Sequence, residues 1–284
     1  MEDGFSLKDA AVGIYGLGLM GGSLALALRG YCSSIVGFDA DPSALERALS
    51  RGIVDRAETS SVKSLPRVDV LILATPVPAI LDMLARLPSF LLEPCIILDV
   101  GSTKRDIIAA MAALPKGFDP IGGHPICGKE NLGLENADGT LYRSAPFVVT
   151  PLERTTRRAK SAVAQIVLAI GAHLIEMSAQ DHDNVLATTS HLPFLVSSAL
   201  AHSTPQEFSS LIGPGFRSTS RLAGTPAHMM MGILKSNRDN VLKAIQDFRG
   251  SLNEIEAILQ NENYAALEGI LKQSRNSYLT ITQN

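Results

Sequence analysis

The stretch Val12-Gly13-Ile14-Tyr15-Gly16-Leu17-Gly18-Leu19-Met20-Gly21-Gly22-Ser23 decides the fold class of this chain. A short apolar strand pattern runs into three glycines spaced G-x-G-x-x-G, and an apolar helical pattern follows directly. Gly16 permits a tight turn, Gly18 lets the backbone approach a pyrophosphate, and Gly21 lets the helix pack closely on the strand. The free N–H groups at the start of that helix attract phosphate oxygens. The alternative is a glycine turn needed only for packing, but the flanking strand and helix patterns favour a dinucleotide site.

The predicted cofactor contacts extend from this loop to the next strand. Leu19 and Met20 belong to the loop and are predicted to contact the cofactor together with its three glycines. Asp39 ends the predicted strand Ser34–Asp39 and lies 21 residues beyond Gly18, near the usual spacing of the carboxylate that holds a ribose. The two residues after Asp39 offer no cation for a 2′-phosphate, so the predicted cofactor is NAD.

The first 178 residues alternate short apolar runs with helical patterns. This alternation is typical of an α/β fold, a Rossmann-type doubly wound parallel sheet with helices on both faces. The further predicted strands are 68–74, 95–100, 118–122, 146–150 and 173–177, with a helix over 153–170. Ligands of such sheets bind beyond the carboxyl ends of the strands. The loops predicted to ring one crevice are therefore those at Gly16, Asp39, Thr75, Gly101 and Gly123, and Thr75 is the remaining predicted cofactor contact.

Residues 179–284 show no further strand pattern and are predicted to form an all-helical domain. The run Asp181-His182-Asp183 is predicted to cap a long helix that reaches His202 and kinks at Pro193. Apolar residues recur at helical spacing over 240–259. A helical region this apolar cannot bury all its apolar residues in a core of its own. We therefore expect it to pack on a second copy of the chain as a homodimer. The predicted domains are 1–178 for dinucleotide binding and 179–284 for substrate binding and dimerisation.

Composition argues against several classes of partner. The net charge of −3 and the pI near 6.1 give no basic surface for a nucleic acid. No apolar run approaches the ~18 residues of a membrane span, and the acidic start, 1–4, is unlike a signal peptide. Three scattered cysteines are typical of reduced thiols in the cytoplasm. Cys127 lies near His124 in sequence, but no further Cys/His pair would complete a metal site, so none is predicted.

Polar residues beyond the glycine loop suggest chemistry at the predicted crevice. His124 stands in a glycine-rich segment at a strand end, where a hydrogen-bonded loop histidine is the more ordinary interpretation. Ser102 begins the helix after another strand, and there the alternative is simple capping. His191 precedes the proline at 193, and Arg221 ends the polar turn 215–221; either could reach over the crevice. Taken alone, each of the last two is more often structural.

These motifs, in this order, resemble the prephenate and arogenate dehydrogenases of tyrosine biosynthesis. The similarity covers about residues 10–262 and is carried by the segments Gly16–Ser23, Asp99–Lys104, His124–Gly128, Leu134–Asp138, Ser190–Pro193, Gly215–Arg217 and Arg221–Ala223. The resemblance implies an N-terminal Rossmann domain and a C-terminal helical dimerisation domain. It also implies NAD(P)-dependent oxidative decarboxylation of prephenate or arogenate.

The resemblance further implies roles for four side chains. His124 matches the histidine that hydrogen-bonds the ring hydroxyl of the substrate, and Ser102 matches the serine that assists there. His191 matches a substrate-site histidine, and Arg221 matches the arginine that binds a substrate carboxylate. The chain departs from the family pattern where relatives frequently carry histidine, aspartate and tryptophan, namely at Phe194, Ser218 and Met230. The choice between the two substrates and the feedback control by tyrosine therefore stay open.

Two alternative functions fit the same architecture. β-Hydroxyacid dehydrogenases and imine reductases also join a Rossmann domain to a helical dimer domain, but they usually depend on a lysine in the helical region. Neither Lys235 nor Lys243 lies in a recognisable motif. A non-catalytic nucleotide sensor would have no reason to keep His124, Ser102 and Arg221 together. An NAD-dependent prephenate or arogenate dehydrogenase is the favoured hypothesis.

Overall fold

The computed structural model describes residues 4–59, 67–90, 93–129 and 131–282. The strands in these ranges are β1 (Ala11–Tyr15), β2 (Ser34–Asp39), β3 (Arg56–Thr59), β4 (Val70–Leu73), β5 (Ile96–Asp99), β6 (Asp119–Pro125), β7 (Pro146–Pro151) and β8 (His173–Glu176). The α-helices are α1 (Leu19–Leu28), α2 (Pro42–Ser50), α3 (Val77–Phe90), α4 (Arg105–Ala112), α5 (Arg157–Ala169), α6 (Ala179–Leu186), α7 (Leu192–Ser203), α8 (Pro214–Ser220), α9 (Ala227–Ser236), α10 (Arg238–Gln260) and α11 (Tyr264–Thr282).

The strands form one sheet in the order β3-β2-β1-β4-β5-β6-β7-β8. All neighbours are parallel except β6 and β7, which are antiparallel. The chain moves outward from β1 to β3 and then returns to place β4 on the other side of β1. Such a reversal is a topological switch point, where the loops after β1 and β4 diverge and leave a crevice. The glycine loop and Thr75 follow these two strands, so the topology brings them to the same edge.

Alternate residues of each central strand enter two separate hydrophobic cores. In β4, Val70 and Ile72 pack in one core with α1 and α5, while Leu71 and Leu73 pack in the other with α3 and α4. All four side chains are fully buried. A strand buried on both faces reads as a continuous apolar run, and this is why the sequence signal was strong here. The predicted doubly wound α/β fold is confirmed.

One strand, β3, was not predicted. It comprises Arg-Ala-Glu-Thr at an edge of the sheet and, among the described strands, pairs with β2 alone. Its side chains are exposed or half-buried, so the segment needs no apolar residues and carries no hydrophobic pattern. The six strands predicted after the glycine loop and before residue 178 all form, with ends that differ by up to three residues.

The helix after β8 differs from prediction at its start. Ser178, and not the acidic run that follows it, caps α6 by accepting the N–H of Asp181. Asp183 instead accepts the backbone N–H groups of Lys104 and Arg105, at 2.7 and 2.9 Å, and so caps α4. A buried acid can satisfy the N–H groups of any helix that starts beside it in space, and sequence cannot show this.

The predicted kink takes the form of a π-helical turn. This turn spans Ala187–His191 and connects α6 to α7, with Pro193 in the first turn of α7. Proline has no N–H for the carbonyl one turn earlier, and the wider turn relieves the clash that its ring would make there. The interruption therefore falls just before the proline and includes His191.

The chain divides into two compact units, residues 1–237 and 238–284. The described part of the second unit is a pair of helices, α10 and α11, which contact each other. From residue 179 to 282 the chain is helical or turns between helices, as predicted. Among the described helices, none is both long and apolar enough to cross a membrane.

Candidate active site

The glycine loop after β1 has the geometry of a phosphate-binding turn. Gly16 has φ of +99°, which L side chains rarely adopt, and it lies against the loop after β4. A Cβ at Gly21 would collide with the carbonyl oxygen of Gly16, so only glycine allows α1 to start this close to β1. A Cβ at Gly18, by contrast, would meet no protein atom within 4 Å. Backbone there is open to a ligand, beside the unpaired N–H groups of the first turn of α1.

Two side chains beside the loop fit a dinucleotide. The Asp39 carboxylate, at the end of β2, accepts the N–H of Leu17 at 2.7 Å and that of Asp41 at 2.9 Å. These bonds hold the acid against the loop, where its remaining lone pairs suit ribose hydroxyls. Thr75 Oγ1 is buried and has no hydrogen-bond partner among the described residues. A buried unpaired hydroxyl is rare in proteins, and a polar group of a bound nucleotide would satisfy it.

A second site lies beyond the carboxyl ends of β5 and β6. Ser102, His124, His191 and Arg221 all line one cavity of about 520 Å³. They come from the turn after β5, the end of β6, the π-helical turn and the segment after α8. This volume is in the range of small-molecule sites, roughly 300–1,000 Å³. The structure thus brings the four predicted substrate-site residues together, at the same edge of the sheet as the glycine loop.

His124 makes a hydrogen bond to a second histidine. Its Nδ1 lies 2.8 Å from Nε2 of His182, and the Nδ1 of His182 lies 2.8 Å from Oδ1 of Asp183. His182 and Asp183 are buried. Burial, followed by charge interactions with His182, Lys104 and His191, holds the pKa of His124 well below its usual value. His124 is therefore a neutral imidazole near pH 7, as a proton acceptor must be.

A buried ion pair holds the loops that carry Ser102 and His124. Lys104 Nζ donates to the Asp99 carboxylate, and both side chains are fully buried. The same carboxylate accepts the N–H of Gly101 at 2.8 Å and of Gly123 at 3.2 Å. Asp99 thereby ties the end of β5 to the turn before Ser102 and to the strand before His124. A buried carboxylate with this many donors fixes the geometry of both segments.

Ser102 is not needed as a helix cap. The Lys104 and Arg105 N–H groups at the start of α4 already donate to Asp183. Thr103, its neighbour, is buried and shares a hydrogen bond of 2.8 Å with Ser236. Ser102 is half-buried and lines the cavity. The capping interpretation of this serine therefore loses its support.

The comparisons with known proteins agree with this arrangement. The family model for the nucleotide-binding domain of prephenate dehydrogenase matches residues 24–176, and the model for its dimerization domain matches residues 178–273. The chain belongs to the prephenate dehydrogenase family. It is 30% identical over 267 residues to the prephenate dehydrogenase of Bacillus subtilis, covering 90% of this chain and 72% of the relative.

Two solved structures of the family extend over nearly the whole chain. The prephenate dehydrogenase from A. aeolicus, in complex with hydroxyphenyl propionate and NAD+, has a TM-score of 0.88 and 30% identity, with 98% of this chain and 100% of that chain covered. The arogenate dehydrogenase of Synechocystis has a TM-score of 0.81 and 30% identity, covering 96% and 100%. Membership of this family argues against both alternatives, a β-hydroxyacid dehydrogenase or imine reductase on the one hand and a non-catalytic nucleotide sensor on the other.

The departures from the family pattern fall in two places. Phe194 and Met230 line the cavity, where they add to an apolar wall that also includes Leu222 and Ile233. Ser218 lies exposed in α8 and is not among the residues that line it. The first two positions can therefore affect a bound substrate directly.

Sequence reasoning missed several residues of this site. Lys129 lines the cavity and forms an ion pair of 2.9 Å with Asp138. His182 and Asp183 reach His124 from another element, and sequence showed them only as candidate caps. The one sequence signal that could have identified Lys129 as a cavity residue is its position directly after the motif at 124–128. Contacts across 58 residues, as between His124 and His182, leave no trace in local patterns.

Proposed function

We propose that the cavity binds prephenate or arogenate, with His124 and Ser102 at the ring hydroxyl and Arg221 at a carboxylate. The chain is an NAD-dependent oxidoreductase of the prephenate dehydrogenase family, which carries out oxidative decarboxylation in tyrosine biosynthesis. One observation carries the assignment of the residues. Four separate segments bring Ser102, His124, His191 and Arg221 to a single cavity beside the cofactor edge of the sheet.

The reaction needs a hydrogen-bond acceptor for the ring hydroxyl and correct orientation of the substrate more than it needs a strong acid or base. NAD, when bound, accepts the hydride from the carbon that bears the ring hydroxyl. Loss of the ring carboxylate as carbon dioxide returns an electron pair to the ring, which becomes aromatic. This aromatisation drives the reaction. A neutral His124 accepts a hydrogen bond from the substrate hydroxyl, so that the hydroxyl oxygen can donate electron density to its carbon as the hydride leaves. Any proton that His124 takes up in the transition state returns to this oxygen, because the product is a phenol. Ser102 orients the same hydroxyl, and the cavity holds the ring in position.

The charges of the cavity suit an anionic substrate. In the described part of the chain, the charged side chains that line it are Lys129 and Arg221, both cationic. The planar fork of Arg221 matches a carboxylate through two parallel hydrogen bonds. The apolar wall that includes Phe194 and Met230 suits the hydrocarbon ring. A small cyclic dicarboxylate is the ligand class that fits both features.

Turnover is tested directly by absorbance of reduced cofactor. With NAD, we expect NADH to form from prephenate, from arogenate, or from both, together with carbon dioxide and the matching 4-hydroxyphenyl product. NADP should support slower turnover, because the Asp39 carboxylate repels a 2′-phosphate. A β-hydroxyacid such as 3-hydroxyisobutyrate serves as the control substrate. NADH from that control alone, or tight NAD binding with no turnover of either cyclohexadiene, would overturn the proposal.

We also propose a homodimer through the helical region. The C-terminal part matches a dimerization domain. Its helices α10 and α11 leave large apolar side chains half-exposed, among them Leu242, Leu252, Leu259 and Leu271. Large apolar side chains exposed in this number are typical of an interface between copies.

We further propose that the boundary between the two domains falls at 178/179. We also propose a cytoplasmic location, with which the three unpaired cysteines are consistent.

Sedimentation at micromolar concentration should give about twice the chain mass of 30.2 kDa. Leu252→Arg should shift the protein toward monomer, because a charge cannot be buried without a partner. The matched control is Leu168→Arg in α5, where the leucine is 79% exposed, and it should leave the mass unchanged. A wild-type monomer with full activity would contradict the dimer.

A further inference from the structure

The Asp183 carboxylate fixes the direction of a chain of hydrogen bonds that leads to His124. Two of its partners are the backbone N–H groups of Lys104 and Arg105, which can only donate, so the carboxylate oxygens must accept. Burial by itself would raise the pKa of Asp183, but the hydrogen bonds from His182 and from these two N–H groups outweigh it and lower the pKa. Asp183 is therefore an ionised, accepting carboxylate. The Nδ1 of His182, 2.8 Å away, must carry a proton and donate it.

This direction continues from His182 to His124. With the Nδ1–H that bonds Asp183 as its single N–H, His182 has an acceptor at Nε2, so the Nδ1 of His124, at 2.8 Å, is the donor. His124 is itself neutral, and its remaining nitrogen, Nε2, carries a lone pair. Since His124 lines the cavity, that lone pair is the one available to a substrate hydroxyl.

A different partner, Asn237, gives His191 the opposite tautomer to that of His124. Asn237 Nδ2 donates to the backbone carbonyl oxygen of Asp183 at 2.7 Å, which identifies this atom as the amide nitrogen. The same nitrogen lies 3.2 Å from Nδ1 of His191, which must therefore accept. Burial first, with a smaller effect of His182, lowers the pKa of His191 to about 4 against the opposing field of Asp183. A neutral His191 that accepts at Nδ1 carries its proton on Nε2.

We propose that Asp183, through His182 on one side and Asn237 on the other, imposes opposite tautomers on the two histidines of the cavity. His124 presents an acceptor and His191 presents an N–H donor. His182, Asp183 and Asn237 are positioning residues, since they act through the two histidines. The catalytic meaning of this arrangement rests on the proposed function, whereas the tautomers themselves are a property of the folded chain.

The tautomers are tested without any turnover. Long-range ¹H–¹⁵N spectra of the full-length protein, labelled at histidine, distinguish Nδ1–H from Nε2–H imidazoles, and His124→Asn and His191→Gln assign the two signals. At pH 7.5 we expect His124 as the Nδ1–H form and His191 as the Nε2–H form. Either histidine in the opposite form, or in fast exchange between the two, would overturn the proposal even if the enzyme turns over prephenate.

The consequence for the reaction is tested on His182. His182→Leu removes the acceptor for His124 Nδ1–H, and we expect kcat to fall roughly 10²–10⁴-fold, the range for a lost or misdirected acid–base group. KM and NAD affinity should stay within about threefold. His182→Gln keeps an oxygen that can accept from His124 and should recover at least tenfold of the loss. A merely structural role predicts neither this rescue nor a change in the His124 tautomer.

The control variant is His202→Leu, an exposed histidine of α7, which should behave as wild type. If His182→Leu does not fold, the spectra of the wild-type protein still decide the tautomers. Wild-type kcat in a folded His182→Leu variant would refute the positioning role. Absence of wild-type turnover with either substrate would refute the proposed function, and the spectra would then stand alone as the test of the tautomers.

Discussion

His124→Asn should lower kcat by roughly 10²–10⁴-fold, the range for a lost acid–base group, while NAD affinity stays nearly unchanged. The reason is that the hydroxyl becomes more acidic only as the hydride leaves, so the help from His124 is concentrated in the transition state. Asparagine keeps a polar side chain of similar reach but cannot take up a proton. Steady-state kinetics with the preferred substrate, together with NAD titration, measure the two effects separately.

The same histidine sets the acid limit of activity. Because burial and charge interactions with neighbouring groups lower the pKa of His124 well below its usual 6.5, protonation should abolish activity only at a correspondingly lower pH. The plot of kcat/KM against pH should therefore stay flat through 6.5 and fall on the acid side below it. The matched control for His124→Asn is His202→Asn, at an exposed position, which should keep wild-type kcat. Near-normal kcat in a folded His124→Asn protein would mean that the histidine is structural.

Arg221→Met should act on KM far more than on kcat. The carboxylate that we propose Arg221 binds is charged both before and during the reaction, so loss of the arginine weakens binding of ground state and transition state alike. A hydrogen bond to a charged group contributes about 1.5–3 kcal/mol, which corresponds to a rise in KM of roughly 10- to 150-fold. Methionine preserves much of the length and apolar area of the side chain, so the change isolates the charge.

The control for Arg221 is Arg157→Met at the exposed start of α5. Because β7 runs antiparallel to β6, the residues after its end lie at the far edge of the sheet from the cavity. This variant should keep wild-type KM. A large loss of kcat with unchanged KM in Arg221→Met would place the arginine in the chemical step and contradict its role as a carboxylate anchor.

The sequence by itself determined the sheet and the cofactor edge. The central strand β4 is buried on both faces and all four of its residues are apolar, so the run is visible without a structure. The three glycines of the loop are visible for a related reason: each occupies a position where a side chain would collide, strain the backbone or block a ligand. Resemblance to a family added the roles of His124 and Arg221, which no periodicity carries.

Only the tertiary structure decided what surrounds His124. Asp183, read in sequence as the cap of its own helix, caps α4 and acts on His124 through His182. The edge strand β3 and the exact place of the helix interruption were likewise invisible. The physical reason is common to these cases: hydrogen-bond partners are chosen by proximity in space, and a polar side chain with several possible acceptors and donors carries no mark of which one the fold brings to it.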